Sequence, residues 1–475
     1  MEPIKLPFGT GVYRNVDEME LNDRDAYLMN GYVDELGAIR SFPGLAEWKD
    51  LGLGIGAGID GLYWWEDKAC ALAVADGKVF KLTYPNQVPT SVDLFNADRL
   101  VQNVRASICT NGTYAFLANG GKIGYTDGTA DVAFLADTDA PAAVCDVAFI
   151  DNYILAFTPT AKWYWSDISP TPNPLSWNAL SYASAAGDAD NIVAGRVRNR
   201  QVFLFGAKSI ERWENDGTTP FSRSPGGFIQ SGCIAPSSIV VLEEAIYWLD
   251  HRRRMVRWNG NAVERISTPY DKEIQSWSAI SDCIGDHIEF NGQSFLKFHF
   301  PAAGKTLVYN MTTEKWSERG QWNSASVQYE RWQGNAYCYC PAWGIHLVGD
   351  RERSIIYSMA SNNFDDAGSE LRLEMRTGHL DFGSLKKKAV GELRLRCKRG
   401  VGLSTRTPKL LLRWRDDNKR WSNQREISLG DVGDREIVRR IQAQGVFDTR
   451  QYEIVGSDPV PIIFLGAEQD VEVVE

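Results

Sequence analysis

One pattern recurs between residues 60 and 360, and it constrains the fold more than any single motif. An alternating apolar strand runs into a short Gly, Asn or Asp turn, and a second strand follows that ends in an aromatic residue. The first copy is Leu62-Tyr63-Trp64-Trp65, Ala71-Leu72-Ala73-Val74, the turn Asp76-Gly77 and Val79-Phe80-Lys81-Leu82. Later copies carry the turns Asn111-Gly112, Asp151-Asn152, Arg198-Asn199 and Asn291-Gly292 between similar strands. The copies begin near residues 62, 106, 147, 192, 239, 288 and 329, at spacings of 41 to 49 residues. A period of about 40 to 50 with four strands per unit is the signature of a β-propeller, whose closure gives every unit two neighbours. The expected fold is therefore all-β, with a divergent propeller of about seven blades, six being the alternative. It is divergent because neither a G-H…W-D pair nor a regular kelch spacing is present. A row of short-stranded sandwiches would show the same spacing.

Two regions lie outside the repeat. Residues 1–55 are polar and turn-rich and read as an extended N-terminal segment, expected to pack with the C-terminal domain; residues 56–360 hold the propeller. Residues 361–475 alternate apolar and charged positions, as in Leu393-Arg394-Leu395-Arg396 and Leu411-Leu412-Arg413-Trp414-Arg415. Period-two alternation marks strands with one buried and one wet face, so a separate antiparallel β-sandwich or barrel is expected there as a docking platform. Asn362-Asn363-Phe364-Asp365-Asp366 is the expected junction.

Motifs of catalysis are missing. There is no G-x-x-x-x-G-K-[ST] and no G-x-S-x-G. The five histidines, at 251, 287, 299, 346 and 379, show no metal-ligand spacing, and His299, between Phe298 and Phe300, reads as a packed structural residue. The eight cysteines include no C-x-x-C pair and read as buried free thiols, with Cys338 and Cys340 on one face of a strand. Arg415 to Ser422 is similar to a shortened Asp-box, a hairpin turn that is structural even in sialidase-like propellers. No cofactor, metal or catalytic residue is expected. No apolar run is long enough for a membrane helix, and the start lacks a signal-peptide layout, so synthesis in the cytoplasm without membrane insertion is expected.

Charge adds a second constraint. The chain has 51 Lys and Arg against 61 Asp and Glu, a net of −10, which argues against a dedicated nucleic-acid binder. Residues 386–450 alone hold 18 basic and 8 acidic residues. Lys386-Lys387-Lys388 and Arg252-Arg253-Arg254 are the densest clusters. Solvated loops explain both; the functional reading makes them docking contacts for acidic partners.

Ile39-Arg40-Ser41-Phe42-Pro43-Gly44-Leu45, Ser209-Ile210-Glu211-Arg212-Trp213 and Gln230-Ser231-Gly232-Cys233-Ile234-Ala235 resemble, in that order, segments of the packaged-DNA stabilisation proteins of short-tailed phages. Ser457 to Ile462, followed by Leu465-Gly466-Ala467, is similar to the end of related tail hub proteins. The Arg252-Arg253-Arg254 turn and the polar segment 169–190 have no counterpart in that resemblance. It implies a virion tail hub or nozzle subunit: a homo-oligomer in a six-fold ring below the portal and its adaptor ring. A tail needle or plug and tailspikes or fibres would lie below, and genomic DNA would pass through without sequence-specific binding. Six copies at −10 each would carry about −60, a wall that repels phosphates. The alternative is a propeller-type glycan-binding protein or glycosidase.

Overall fold

The computed structural model describes residues 2–9, 25–94, 99–168, 173–185, 187, 190–217, 220–398, 407–430, 436–442 and 445–474. Parts of the polar segment 169–190 and of the basic stretch 386–450 lie outside them.

The repeat folds as four-stranded antiparallel meanders, seven in succession among the described residues. Their first strands are Ile59–Trp65, Ser107–Thr110, Asp146–Ile150, Ile192–Arg198, Val240–Val241, Ile284–Phe290 and Gly334–Cys340. Each of these lies beside the first strand of the next meander, and Gly334–Cys340 returns to Ile59–Trp65, so the ring is closed. This is a β-propeller. Turn chemistry sets the hairpins. Asp76 and Gly77 have φ of 51° and 71°, and Asn291 and Gly292 have 50° and 73°, the left-handed pair that a two-residue hairpin loop requires. Apolar layers then fill the space between neighbouring sheets. Leu155, Phe157 and Trp163 of the third meander pack on Ile192, Val202 and Leu204 of the fourth. At Gly195 a Cβ would stand 2.3 Å from the Phe157 ring, so only glycine lets these two sheets approach.

Closure uses a distant piece of chain. The outer strand of the seventh meander is Leu45–Ile55, paired antiparallel with Arg353–Met359. These eleven residues, assigned from sequence to the N-terminal segment, therefore belong to the ring. The sequence reading also opened the seventh copy at Tyr329. That strand instead pairs in a separate hairpin, Gly320–Asn323 with Gln328–Arg331. Its alternation resembled a blade strand, and periodicity alone cannot assign partners.

The other described strands of the N-terminal segment join the C-terminal strands in two sheets. Glu2–Leu6 and Ile39–Ser41 both pair with Ile463–Val473, which continues through Lys388–Lys398 to Glu436–Ile441. In the other sheet Tyr27–Met29 runs parallel to Lys315–Glu318 of the sixth meander and antiparallel to Leu373–Arg376. One sheet of nine strands thus runs from the sixth meander to Arg425–Ser428. The two sheets face each other across Leu28, Met375, Leu412 and Ile454 on one side and Val33, Leu393, Leu395 and Phe464 on the other. Each such side chain contributes about 1.5–3 kcal/mol by leaving water.

Candidate functional site

Charged residues gather where the first strands of the propeller converge. A cavity of about 170 Å³ is lined there by Arg105, Ser107, Asp146 and Arg196, among others. Arg105 precedes the second meander and donates to Asp286 Oδ1 of the sixth at 3.1 Å and to the Asn335 carbonyl of the seventh at 2.8 Å. One guanidinium therefore ties three units together. Asp146 forms an ion pair with Arg196, accepts the Ser107 hydroxyl, and accepts the Gly195 amide at 3.2 Å. Burial pushes the Arg196 guanidinium down to about 10.

Behind Arg105 the network continues inward. The His299 ring is wholly buried, and burial pushes its pKa down to about 3. It is therefore neutral: Nε2–H donates to Asp286 Oδ2 at 3.2 Å, and Nδ1 accepts from Thr306 Oγ1 at 3.1 Å. Burial raises the Asp286 pKa, but the His299 hydrogen bond and the Arg105 charge outweigh it and hold this carboxylate at about 2. These charges are spent on one another. The cavity has room for a handful of waters.

A second set of contacts lies at the junction with the C-terminal sheets and within them. Arg319 Nη2 donates to the Pro43 carbonyl at 2.7 Å and to Asp366 Oδ1 at 3.4 Å, and its guanidinium lies 4.3 Å from the Trp332 ring centre. Glu453, wholly buried, takes Arg376 Nη2 at 2.5 Å and also pairs with Arg413. Arg376, Arg413 and Arg415 all stack near Trp421, at 5.2, 4.7 and 5.1 Å. The turn read from sequence as a shortened Asp-box thus serves as a packing element.

The two basic clusters sit on different sheets and divide by residue. Arg254 pairs with the buried Asp250 at 2.6 Å, and Arg253, at φ 60°, donates to the Trp277 carbonyl at 2.7 Å. Both are therefore engaged in holding their turn, and Arg252 is the exposed member. In the second cluster Lys386 and Lys387 are exposed, but Lys388 is fully buried and donates to the carbonyls of Asp381, at 2.9 Å, and Ser384. The expectation of an exposed run is corrected at Lys388: it opens a strand whose even-numbered neighbour Val390 also faces inward.

Sequence reasoning missed the axial network. The signal was a charged residue beside or within the opening strand of the second, third, fourth and sixth repeats: Arg105, Asp146, Arg196 and Asp286. Among the described residues no group of three or more His, Cys, Asp or Glu is placed to hold a metal, and no helix is long and apolar enough to cross a membrane. All eight cysteines are free thiols, with Cys338 and Cys340 sulfurs 3.9 Å apart.

Comparison with solved structures returns matches at low identity. The WD40 β-propeller domain of Doa1 is 12% identical, covers 67% of this chain and 98% of its own, with a TM-score of 0.43. The extracellular domain of the putative one-component system BT4673 from B. thetaiotaomicron is 10% identical over 87% of this chain and 60% of its own, with a TM-score of 0.44. A search of curated proteins returns no match. The family model described as bacteriophage P22 Gp10, β-propeller, matches residues 26–363, a span that takes in the strand Tyr27–Met29, the closing strand Leu45–Ile55 and every meander. The chain belongs to this family, the packaged-DNA stabilisation β-propellers of phage virions.

Proposed function

We propose that this chain is a tail hub or nozzle subunit that assembles as a six-fold ring below the portal and adaptor, extends the DNA channel and helps retain the packaged genome. Family membership carries the reading. The small cavity and the charged contacts across the propeller centre support one part of it: the route for DNA lies between copies and not through one of them. The net charge of −10 per copy suits a conduit wall past which phosphates slide without being held. The adaptor ring would lie above, and a needle or plug with tailspikes or fibres below. Within the two basic clusters, Arg252, Lys386 and Lys387 are the exposed members and the candidates for docking.

The test is DNA retention in filled heads that lack only this protein, with and without the purified chain. Restored retention supports the reading. Equal leakage in both samples, with no protein on the heads, overturns it and turns attention to glycan binding and hydrolysis.

A further inference from the structure

Among the described residues Val327 is the one β-branched residue at positive φ, at 55°. Its branched Cβ crowds the backbone there, and glycine or asparagine would make the same turn with less strain. The side chain is 68% exposed, so packing within the chain does little to offset that strain. Folding alone gives no reason for a valine at this position.

The hairpin that carries it is held in place at both ends. Its strands, Gly320–Asn323 and Gln328–Arg331, lie between the sixth and seventh meanders. At the base the Trp322 and Tyr329 rings meet edge to face at 4.9 Å. The Arg372 guanidinium lies 4.0 Å from the Trp322 ring centre, and the Tyr329 hydroxyl donates to Glu374 Oε2 at 3.0 Å. At the tip Asn323 Oδ1 accepts the amides of Ala325, at 2.9 Å, and Ser326, at 3.2 Å, while its Nδ2 donates to Glu330 Oε1 at 2.6 Å. Residues 324–328, Ser-Ala-Ser-Val-Gln, are all exposed, and none is charged.

We propose that this tip docks into an uncharged apolar socket on a neighbouring protein of the virion, with the Val327 side chain as its anchor. The proposal rests on the tail-subunit reading given under Proposed function. A tip fixed before docking loses little conformational entropy on binding, and a branched apolar side chain exposed in the free chain gains by leaving water. The lack of any cation at residues 323–328 selects a protein socket over nucleic acid, whose contacts go chiefly to phosphates. A socket also explains valine over asparagine: strain kept in the free chain is offset by a contact made only on docking.

The experiment mixes filled heads that lack only this protein with purified full chains, and titrates attachment beside urea unfolding of the same chains. Val327→Asn should raise the urea midpoint, because asparagine tolerates the left-handed region. It should attach at least about tenfold more weakly, as for the loss of one buried valine side chain. Val327→Thr keeps the branched shape and the strain but carries a hydroxyl into the socket, so its midpoint should match wild type while its attachment also weakens. Either variant attaching as tightly as wild type, or a Val327→Asn midpoint below that of wild type, would overturn the proposal and leave the tail-subunit reading standing. Failure of the wild-type chain to attach to any head would overturn both.

Discussion

The side-chain amide of Asn30 and the main chain of Gly320 exchange two hydrogen bonds, each 2.9 Å long. Asn30 Nδ2 also donates to the Arg372 carbonyl at 3.0 Å, and the residue is wholly buried at φ 57°. It stands at the point where the chain leaves one sheet and enters the other: Met29 pairs beside Glu318, and Gly31 pairs with Ser41. Asparagine suits this position because its short amide tolerates the left-handed region and copies a peptide group. Asn30→Ala should cost about 3–5 kcal/mol, from three buried hydrogen bonds and the left-handed backbone. Asn30→Asp keeps the acceptor and loses both donors, so it should also destabilise and speed amide exchange at Gly320. An Asp variant as stable as wild type in urea would show that the two donated bonds contribute nothing.

Acid should weaken the axial network first. The His299 pKa is depressed from 6.5 to about 3 by burial, so the unfolded chain takes up a proton that the native state refuses. Its contribution is fully present above pH 6.5 and is lost as pH falls toward 3. Asp286, held at about 2 against an ordinary 3.8, acts in the same direction at lower pH. Burial also lowers the pKa of His287 and His346, so several protons contribute. His299→Gln should therefore reduce the slope of stability between pH 6 and 4.5 by about one proton, or about 1.4 kcal/mol per pH unit, without flattening it. An unchanged slope in urea titrations would refute the assignment of a neutral native imidazole.

How much of this was legible beforehand follows from the range of the interactions. Repeat starts read near 106, 147, 192 and 239 fall within one residue of the observed first strands, because hairpin turns and apolar alternation are local signals. Arg198-Asn199 was read one residue early: the left-handed pair is Asn199 and Arg200, and an arginine at positive φ carries no compositional flag. The closing strand Leu45–Ile55 was missed because its partner lies some 300 residues away and strand pairing at that distance leaves no local trace. Arg105 and Asp286 escaped for the same reason: each reads as an ordinary polar residue until the ring brings the second, sixth and seventh meanders together. His299, read as a packed structural residue from its place between Phe298 and Phe300, is one.

The lysine cluster gives a prediction that separates docking from folding. Lys386 and Lys387 are exposed, so Lys386→Glu with Lys387→Glu should leave stability within about 0.5 kcal/mol of wild type. Lys388 is enclosed by the carbonyls of Asp381 and Ser384, and Lys388→Glu would point a carboxylate at both oxygens. A loss of about 3–5 kcal/mol is expected, as for an uncompensated buried charge. Attachment of the purified chain to filled heads should weaken in the double variant even though it is fully folded. If the double variant attaches as wild type does, the exposed pair has no docking role.

Lys297 offers a stabilising change. Its ammonium is 3% exposed, has no hydrogen-bond acceptor, and lies 4.4 Å from the Trp332 ring centre and 5.2 Å from that of Tyr337. Burial lowers its pKa from 10.5 to about 7; the Asp286 charge opposes that shift, and Arg319 adds to it. The two ring contacts return part of the cost, about 0.5–2 kcal/mol each. Methionine has nearly the same length, keeps contact with both rings and needs no acceptor. Lys297→Met should therefore stabilise the fold by about 1–3 kcal/mol at pH 6. The sign of the pH dependence is fixed by the depressed pKa. Below pH 7 the wild-type lysine is charged in both states and its burial cost is complete. As pH rises from 7 to 10.5 the native lysine is already neutral while the unfolded one is losing its proton, so the cost falls away. The advantage of the Met variant should shrink over that interval in parallel urea titrations. A variant less stable than wild type at pH 6 would mean that the cation–ring contacts outweigh desolvation at this site.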